Sequence, residues 1–427
     1  MKSLKQMDKN ELLRLKLELE KNFEAAKGKG LKLDMSRGKP AASQLDMVMD
    51  MMDVLNSTTQ LSTEAGMDCR NYGILDGIPE AKKLMADIME VSPENVIVCG
   101  NASLTIMYDT ISRSMTHGVL GSTPWAKLDK VKFLCPVPGY DRHFAITELF
   151  GIEMINIPMT AEGPDMDMVE ELVNQDDSIK GIWCVPKYSN PQGITYSDET
   201  VKRFANLKPA AKDFRLFWDN AYAIHHLYDN DKASLLEILS ECEKAGNSDM
   251  VYEFASTSKV SFAGAGIAAV ASSKANLDFI RKFLTIQTIG YDKVNQLRHV
   301  KYFKDMNGIQ AHMKKHGDIM RPKFEAVIHV LETELDGLEI GNWLISKGGY
   351  FISFEAMEGC ATEIIAKCKE AGVVMTGAGA AYPYGKDPLD ATIRIAPSFP
   401  TLDEIQQASE LLVLCVKLVS INKLLAV

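Results

Sequence analysis

Leucines alternate with charges at helical spacing over residues 8–27, where Leu12, Leu13, Leu15, Leu19 and Phe23 recur and Asp8 stands at the N-cap position. The pattern predicts an amphipathic helix packed on a larger body. A turn-rich stretch, LDMSRGKPAASQLDM (33–47), follows. Short apolar runs then alternate with helical patterns: ENVIVCG (94–100), KVKFLCPVPGY (130–140), GIEMINIPM (151–159), IKGIWCVPK (179–187), FRLFWDNAY (214–222), DMVYEFASTSK (249–259) and GIAAVASS (266–273). Most are almost continuously hydrophobic, the signature of strands covered on both faces by helices. Repeated strand, loop and helix predict an α/β domain on a mainly parallel sheet. From about Val294, long charged helical segments lead to a strand pair at GGYFISFE (348–355) and TIRIAPS (392–398), a smaller α+β unit. The expected division is an N-terminal helix and arm (1–50) belonging to the small domain, a large domain (51–305) and a small C-terminal domain (306–427).

Composition adds bounds. A chain of 427 residues with 46% hydrophobic and 24% charged residues has the size of at least two structural units and can bury a large core. Its formal charge of −10, with no large basic block, argues against nucleic acid or an acidic membrane surface as the main partner. Eight scattered cysteines without a CxxC pair suit a reducing compartment, and the histidines form no zinc pattern, so no metal is expected. The opening MKSLKQMDKNELLR has no apolar core of a signal peptide, and LLVLCVKLVSI (411–421) is too short to span a bilayer and contains Lys417. A soluble, cytoplasmic protein is expected.

In open parallel sheets, ligands gather beyond the carboxyl ends of the strands. Asn101-Ala102-Ser103 closes the run at 94–100 and opens a helical pattern, a turn that can present backbone N–H groups to phosphate or serve only as a helix cap. Asn190 lies in the turn SNPQG (189–193), and Asp219 ends an apolar strand, where a desolvated carboxylate needs a cationic or protonated partner. Ser256-Thr257-Ser258-Lys259 precedes a small-residue segment; a lysine so placed suits a Schiff-base nucleophile. The glycines after it do not have dinucleotide-fingerprint spacing.

Six motifs in one order, RGKP (37–40), NYGILDGIPE (71–80), PGY (138–140), SNPQG, DNAY (219–222) and STSK (256–259), resemble the fold-type I pyridoxal-phosphate enzymes, in particular the class I/II aminotransferases. The resemblance extends to RIAPS (394–398), and DCRNYGILDG, WCVPKYSNPQG and TSKVSFAGAGIA look most like the MocR-type subgroup, several of whose stand-alone members are aspartate aminotransferases. It implies pyridoxal 5'-phosphate as cofactor. Lys259 would be the Schiff-base lysine and proton shuttle, and Asp219 the partner of the protonated ring nitrogen. Tyr222 and Asn190 would bond the ring oxygen, and Tyr140 would stack on the ring. Asn101, Ala102, Ser103, Ser256 and Ser258 would hold the phosphate, joined by Tyr72 from the neighbouring subunit of a homodimer. Gly38 would line the substrate pocket and Arg394 would grip the α-carboxylate. One departure stands out: Gly266 occupies the place of the family's phosphate-pairing arginine, with Arg298 and Lys187 as replacement candidates. His225 and His226 follow the Asp219 region, so that either one of them orients Asp219 or both are ordinary surface histidines.

The implied activity is transfer of an amino group from an L-amino acid, aspartate by subgroup resemblance, to 2-oxoglutarate in two half-reactions. Two alternatives stay open: a lyase or decarboxylase on the same scaffold, and a pyridoxal-phosphate-binding regulator. The regulator is disfavoured because only some 30 residues precede RGKP, too few for a basic helix-turn-helix. Arg37, Lys39, Arg142 and Arg298 are the cations available for a second substrate carboxylate.

Overall fold

The computed structural model describes residues 2–426. Eight strands form the main sheet: β1 (Val96–Cys99), β2 (Lys132–Val137), β3 (Glu153–Thr160), β4 (Gly163–Pro164), β5 (Ile179–Cys184), β6 (Arg215–Asp219), β7 (Val251–Ser256) and β8 (Ala268–Ser272), in the spatial order β1-β8-β7-β6-β5-β2-β3-β4. All seven apolar runs are strands. The central pairs β3–β2, β2–β5, β5–β6 and β6–β7 are parallel, while β8 runs antiparallel to both β1 and β7, and β4 antiparallel to β3. Every residue of β5 and β6 is buried, which is why those runs show no polar alternation. The strand period of two sends Phe217, Tyr252 and Phe254 to one face with Phe133 and Trp183, and Leu216, Trp218 and Val251 to the other. Asp219, two residues beyond Phe217, ends β6 on the first face.

Helix α1 (Lys9–Lys27) starts as expected: Asp8 accepts from the amides of Asn10 and Glu11, and the Glu11 side chain returns to the Asp8 amide. Its apolar stripe, Leu12, Leu19 and Phe23, shares one hydrophobic cluster with Leu411, Cys415 and Val419 near the end of the chain. Three antiparallel strands, β9 (Gly341–Trp343), β10 (Ile352–Ala356) and β11 (Thr392–Ile395), form the small sheet. Only β10 and β11 were anticipated, because β9 is short and incompletely buried and carries no apolar run. A 30-residue helix from Met306 to Leu335 joins the units. Its Ile309 and Met313 pack with Ile78 and Leu84 beside the main sheet, and its Met320, Phe324 and Leu331 pack in the small-sheet cluster.

The final helix, Leu402–Ala426, contains the apolar segment at 411–421, and no helix among the described residues is long and apolar enough to cross a membrane. All eight cysteines are buried and unpaired. One buried ion pair ties β5 to the loop before β6. Lys180 Nζ donates to Asp213 Oδ1 at 2.8 Å, and Asp213 Oδ2 accepts from Trp125 Nε1 at 2.8 Å. Asp213→Ala leaves that ammonium without an anion, and chemical unfolding is expected to show a loss of about 3 kcal/mol or more.

Candidate active site

The loops at the carboxyl ends of β1, β2, β5, β6 and β7 converge on a cavity of about 170 Å³. Ala102, Ser103, Tyr140, Asn190, Asp219, Tyr222, Ser256, Ser258 and Lys259 all line it. Ala102 and Lys259, 157 positions apart, thus meet because each follows the carboxyl end of a strand in the same sheet.

Asp219 is buried at 3% exposure; its Oδ2 accepts from His143 Nε2 at 3.0 Å, while Oδ1 has no hydrogen-bond partner. A buried, half-satisfied carboxylate is costly unless something completes it, and a protonated heterocyclic nitrogen is such a group. His143 belongs to the helix Asp141–Leu149, stacks on Trp183 at 4.4 Å and meets Tyr140 edge-on at 4.9 Å. The expectation that His225 or His226 orients Asp219 is therefore corrected. His225 Nε2 donates to the Lys259 carbonyl at 3.4 Å, and His226 Nδ1 bonds Tyr188 Oη at 2.7 Å. The available signal was the spacing in PGYDRH, which sets His143 one helical turn after Tyr140.

The Lys259 amine lies 5.1 Å from the centre of the Tyr222 ring and 5.9 Å from that of Tyr350. Removal from water lowers its pKa, and the Asp219 charge partly opposes the shift. Burial also pushes the Tyr140 phenol up to about 12, helped by the charges of Asp219 and Asp141. It holds the Tyr222 phenol well above its ordinary range, so both remain O–H donors.

An anion cradle sits at the opposite end. The helix Ser103–His117 begins after Ala102, whose side chain cannot cap it, so its first amides are open to an anion. Ser256 Oγ bonds Ser258 Oγ at 3.1 Å, and Ser258 Oγ donates to the Asn101 carbonyl at 3.3 Å. Asn101 is outside the cavity lining; its Nδ2 donates to the Gly264 carbonyl at 3.0 Å and braces the cradle from behind. A Cβ on Gly266 would fall 2.8 Å from Thr257 Oγ1 and 3.3 Å from the Ser258 nitrogen, so the backbone here is closed to any side chain. The two replacement cations separate. Arg298 faces an adjoining cavity of about 630 Å³ that also includes Asn101 and Gly264, and donates to the Ala265 carbonyl at 3.4 Å. Lys187 lines neither cavity, and its amine is pushed down by burial with Glu90 opposing.

Arg394, on β11, is outside the cavity lining and meets it through Asn190. Its Nη1 donates to Asp141 Oδ1 at 3.1 Å and to Asn190 Oδ1 at 3.4 Å, and its guanidinium lies 4.8 Å over the Phe351 ring. Gly38 backs the same ring; a Cβ there would be 2.4 Å from Phe351 Cζ. Of the other cations considered, Arg37, Lys39 and Arg142 are exposed. Tyr72 is 84% exposed and outside its own chain's cavity. Among the described residues no His/Cys/Asp/Glu cluster could hold a metal.

An amine, an unmatched carboxylate oxygen and an anion cradle around one cavity fit pyridoxal phosphate. Residues 7–427 match the family model described as aspartate amino-transferase. The chain belongs to that family. A curated aspartate aminotransferase of Corynebacterium glutamicum is 42% identical over 402 residues, spanning 94% of this chain and 92% of its own. A crystal structure of an aspartate transaminase from the same species superposes with a TM-score of 0.96 at 41% identity, covering 99% of each chain. The fold is shared more distantly with an α-aminoadipate aminotransferase of Thermus thermophilus, solved with phosphopyridoxyl-leucine, at a TM-score of 0.73 and 19% identity over 92% of this chain and 93% of that one. The protein is thus a fold-type I aminotransferase, an enzyme whose cofactor is pyridoxal phosphate and whose substrates are an amino acid and a 2-oxo acid.

Proposed function

We propose that the enzyme takes the amino group of aspartate and passes it to 2-oxoglutarate, working in the cytoplasm as a homodimer. The observation that carries the site assignment is the orphaned Asp219 Oδ1 in the cavity that also receives the Lys259 amine. The names of the similar proteins favour aspartate. The exposed Tyr72 ring, left outside its own chain's cavity, favours a partner copy that takes it up, and the buried free cysteines suit a reducing compartment.

Bound pyridoxal phosphate supplies a sink for the electrons released at the substrate's Cα. Lys259 Nζ would hold the cofactor covalently at rest and would be the group that accepts the substrate's Cα proton. Its burial helps, because a lowered pKa keeps more of the amine neutral and able to accept that proton. Asp219, whose orientation His143 fixes, would hold the proton of the ring nitrogen. Asn190 has Oδ1 engaged by Arg394, which leaves its Nδ2 free to donate, and with the Tyr222 hydroxyl it would bond the ring oxygen. Tyr140 would stack on the ring. Ser103, Ser256, Ser258 and the amides after Ala102 hold the phosphate, Asn101 braces them, and Tyr72 reaches the phosphate of the partner subunit. Arg394 binds the α-carboxylate over Phe351, and Gly38 gives the substrate room. Residues 51–305 form the cofactor domain; 1–50 and 306–427 form the small domain, supported by the cluster joining α1 to the final helix.

The test is the visible absorbance of the purified holoenzyme before and after aspartate, with products identified. The cofactor band should convert to the pyridoxamine form, and 2-oxoglutarate should restore it. A band that responds to another amino acid but not to aspartate overturns the donor. Ammonia or carbon dioxide released without amino transfer overturns the reaction type.

A further inference from the structure

Three consecutive residues beginning at Lys259 are each bonded to a different histidine. The Lys259 carbonyl accepts from His225 Nε2 at 3.4 Å, the Val260 carbonyl from His312 Nε2 at 2.8 Å, and Ser261 Oγ pairs with His299 Nε2 at 2.8 Å. His299 Nδ1 donates to the Asn295 carbonyl at 2.8 Å, so its Nε2 is the acceptor for Ser261. The three histidines come from three elements: the loop after β6, the helix Lys293–Phe303 and the helix Met306–Leu335. All three are buried, and burial holds each below the ordinary imidazole range, His299 at about 4.

The contacts continue from His312. Its Nε2 lies 3.0 Å from His316 Nε2, one turn along the same helix, and His316 Nδ1 lies 3.0 Å from Gln44 Nε2. Gln44 Nε2 also donates to Tyr350 Oη at 3.2 Å. The Tyr350 ring then returns to the starting residue, 5.9 Å from Lys259 Nζ and stacked on Tyr222 at 6.1 Å. The path is not one of hydrogen bonds throughout: His312 Nε2 carries the proton given to the Val260 carbonyl, and His316, whose Nδ1 accepts from Gln44, carries its proton on Nε2, so the two Nε2 atoms meet as packed neighbours on one helix. His312 is further enclosed by the rings of Phe303 at 5.5 Å and Tyr302 at 6.4 Å, with the Lys315 charge nearby.

We propose that His312 is a positioning residue for amino transfer: by holding the Val260 carbonyl, next in the chain to Lys259, it fixes where the Lys259 amine sits. A lysine amine ends a four-carbon stem with many rotamers, so its place depends on its backbone anchor and on the rings around it. In proton transfer between two carbons a displacement of about 1 Å costs on the order of a hundredfold in rate.

The test compares His312→Leu with His312→Gln in the holoenzyme. Glutamine keeps an N–H able to reach the Val260 carbonyl; leucine does not. His312→Leu should lower kcat by about tenfold or more with KM for the amino acid nearly unchanged. It should also move the pH midpoint of the cofactor absorbance band, and His312→Gln should recover both. A leucine variant with a lower unfolding temperature but wild-type kcat and band midpoint overturns the proposal. If that variant does not fold, His312→Asn, whose shorter amide falls short of the Val260 carbonyl, takes its place, and the same fall in kcat and shifted midpoint are expected; no change in either overturns the proposal. The inference rests on Lys259 as the cofactor lysine. A wild-type cofactor band that persists in Lys259→Ala defeats that reading, whereas a band lost there but unmoved in the His312 variants defeats only this one.

Discussion

Lys259→Ala is expected to abolish turnover, with kcat down by about four orders of magnitude or more. The proposed roles give one amine two functions: the covalent link to the cofactor and the transfer of the substrate's Cα proton. Among the described residues no other amine lines the cavity, so none of them can substitute. Cofactor binding should survive in weaker form, because the open helix start at Ser103, the hydroxyls of Ser256 and Ser258, and Asp219 are all untouched. The checking measurement is therefore double. Steady-state kinetics should show the loss, and a thermal-shift titration with pyridoxal phosphate should still show stabilisation. Retained turnover would remove Lys259 from the chemistry.

Asp219→Ala is the second large effect. With no anion facing the ring nitrogen, proton loss from Cα is no longer assisted, and kcat/KM should fall by about a hundred- to a thousandfold. The apoenzyme should behave differently. Asp219 is buried with one oxygen unsatisfied, so deleting it removes a strained charge as well as the bond to His143. The apo variant should keep its unfolding temperature within a few degrees, while the added stability from pyridoxal phosphate shrinks, since stabilisation follows affinity. An unchanged cofactor-induced shift together with unchanged kcat/KM would mean that Asp219 does not face the ring.

The strands were legible because burial on both faces leaves uninterrupted apolar runs, as in β5 and β6. Direction was not: Ala268–Ser272 reads like its neighbours, yet it is antiparallel to both, since hydrophobicity does not encode polarity of the chain. The cavity lining was legible where a polar side chain ends or follows an apolar strand, as Asp219, Asn190 and Lys259 do. His143 escaped that rule because it sits inside a helix, and only the turn of the helix brings it to Asp219. Gly266 was visible as a departure, but its cause was not. Thr257 Oγ1 and the Ser258 nitrogen occupy the space a side chain would need, and they are neighbours in three dimensions only. Similarly, Arg298 and Lys187 could not be ranked from sequence, where distance along the chain says nothing about which side of the sheet each reaches.

The burial of every cysteine equips the enzyme with its own unfolding reporter. Cys99 and Cys135 pack on one face of the main sheet, Cys184 and Cys242 on the other, and Cys360, Cys368 and Cys415 in the cluster of the small sheet. A thiol reagent meets none of them until a layer opens, so the order in which labels appear by mass spectrometry records which layer opens first. If the small-sheet thiols label well before the others, that unit detaches while the cofactor sheet is still intact. Simultaneous labelling would show that the two unfold as one cooperative body.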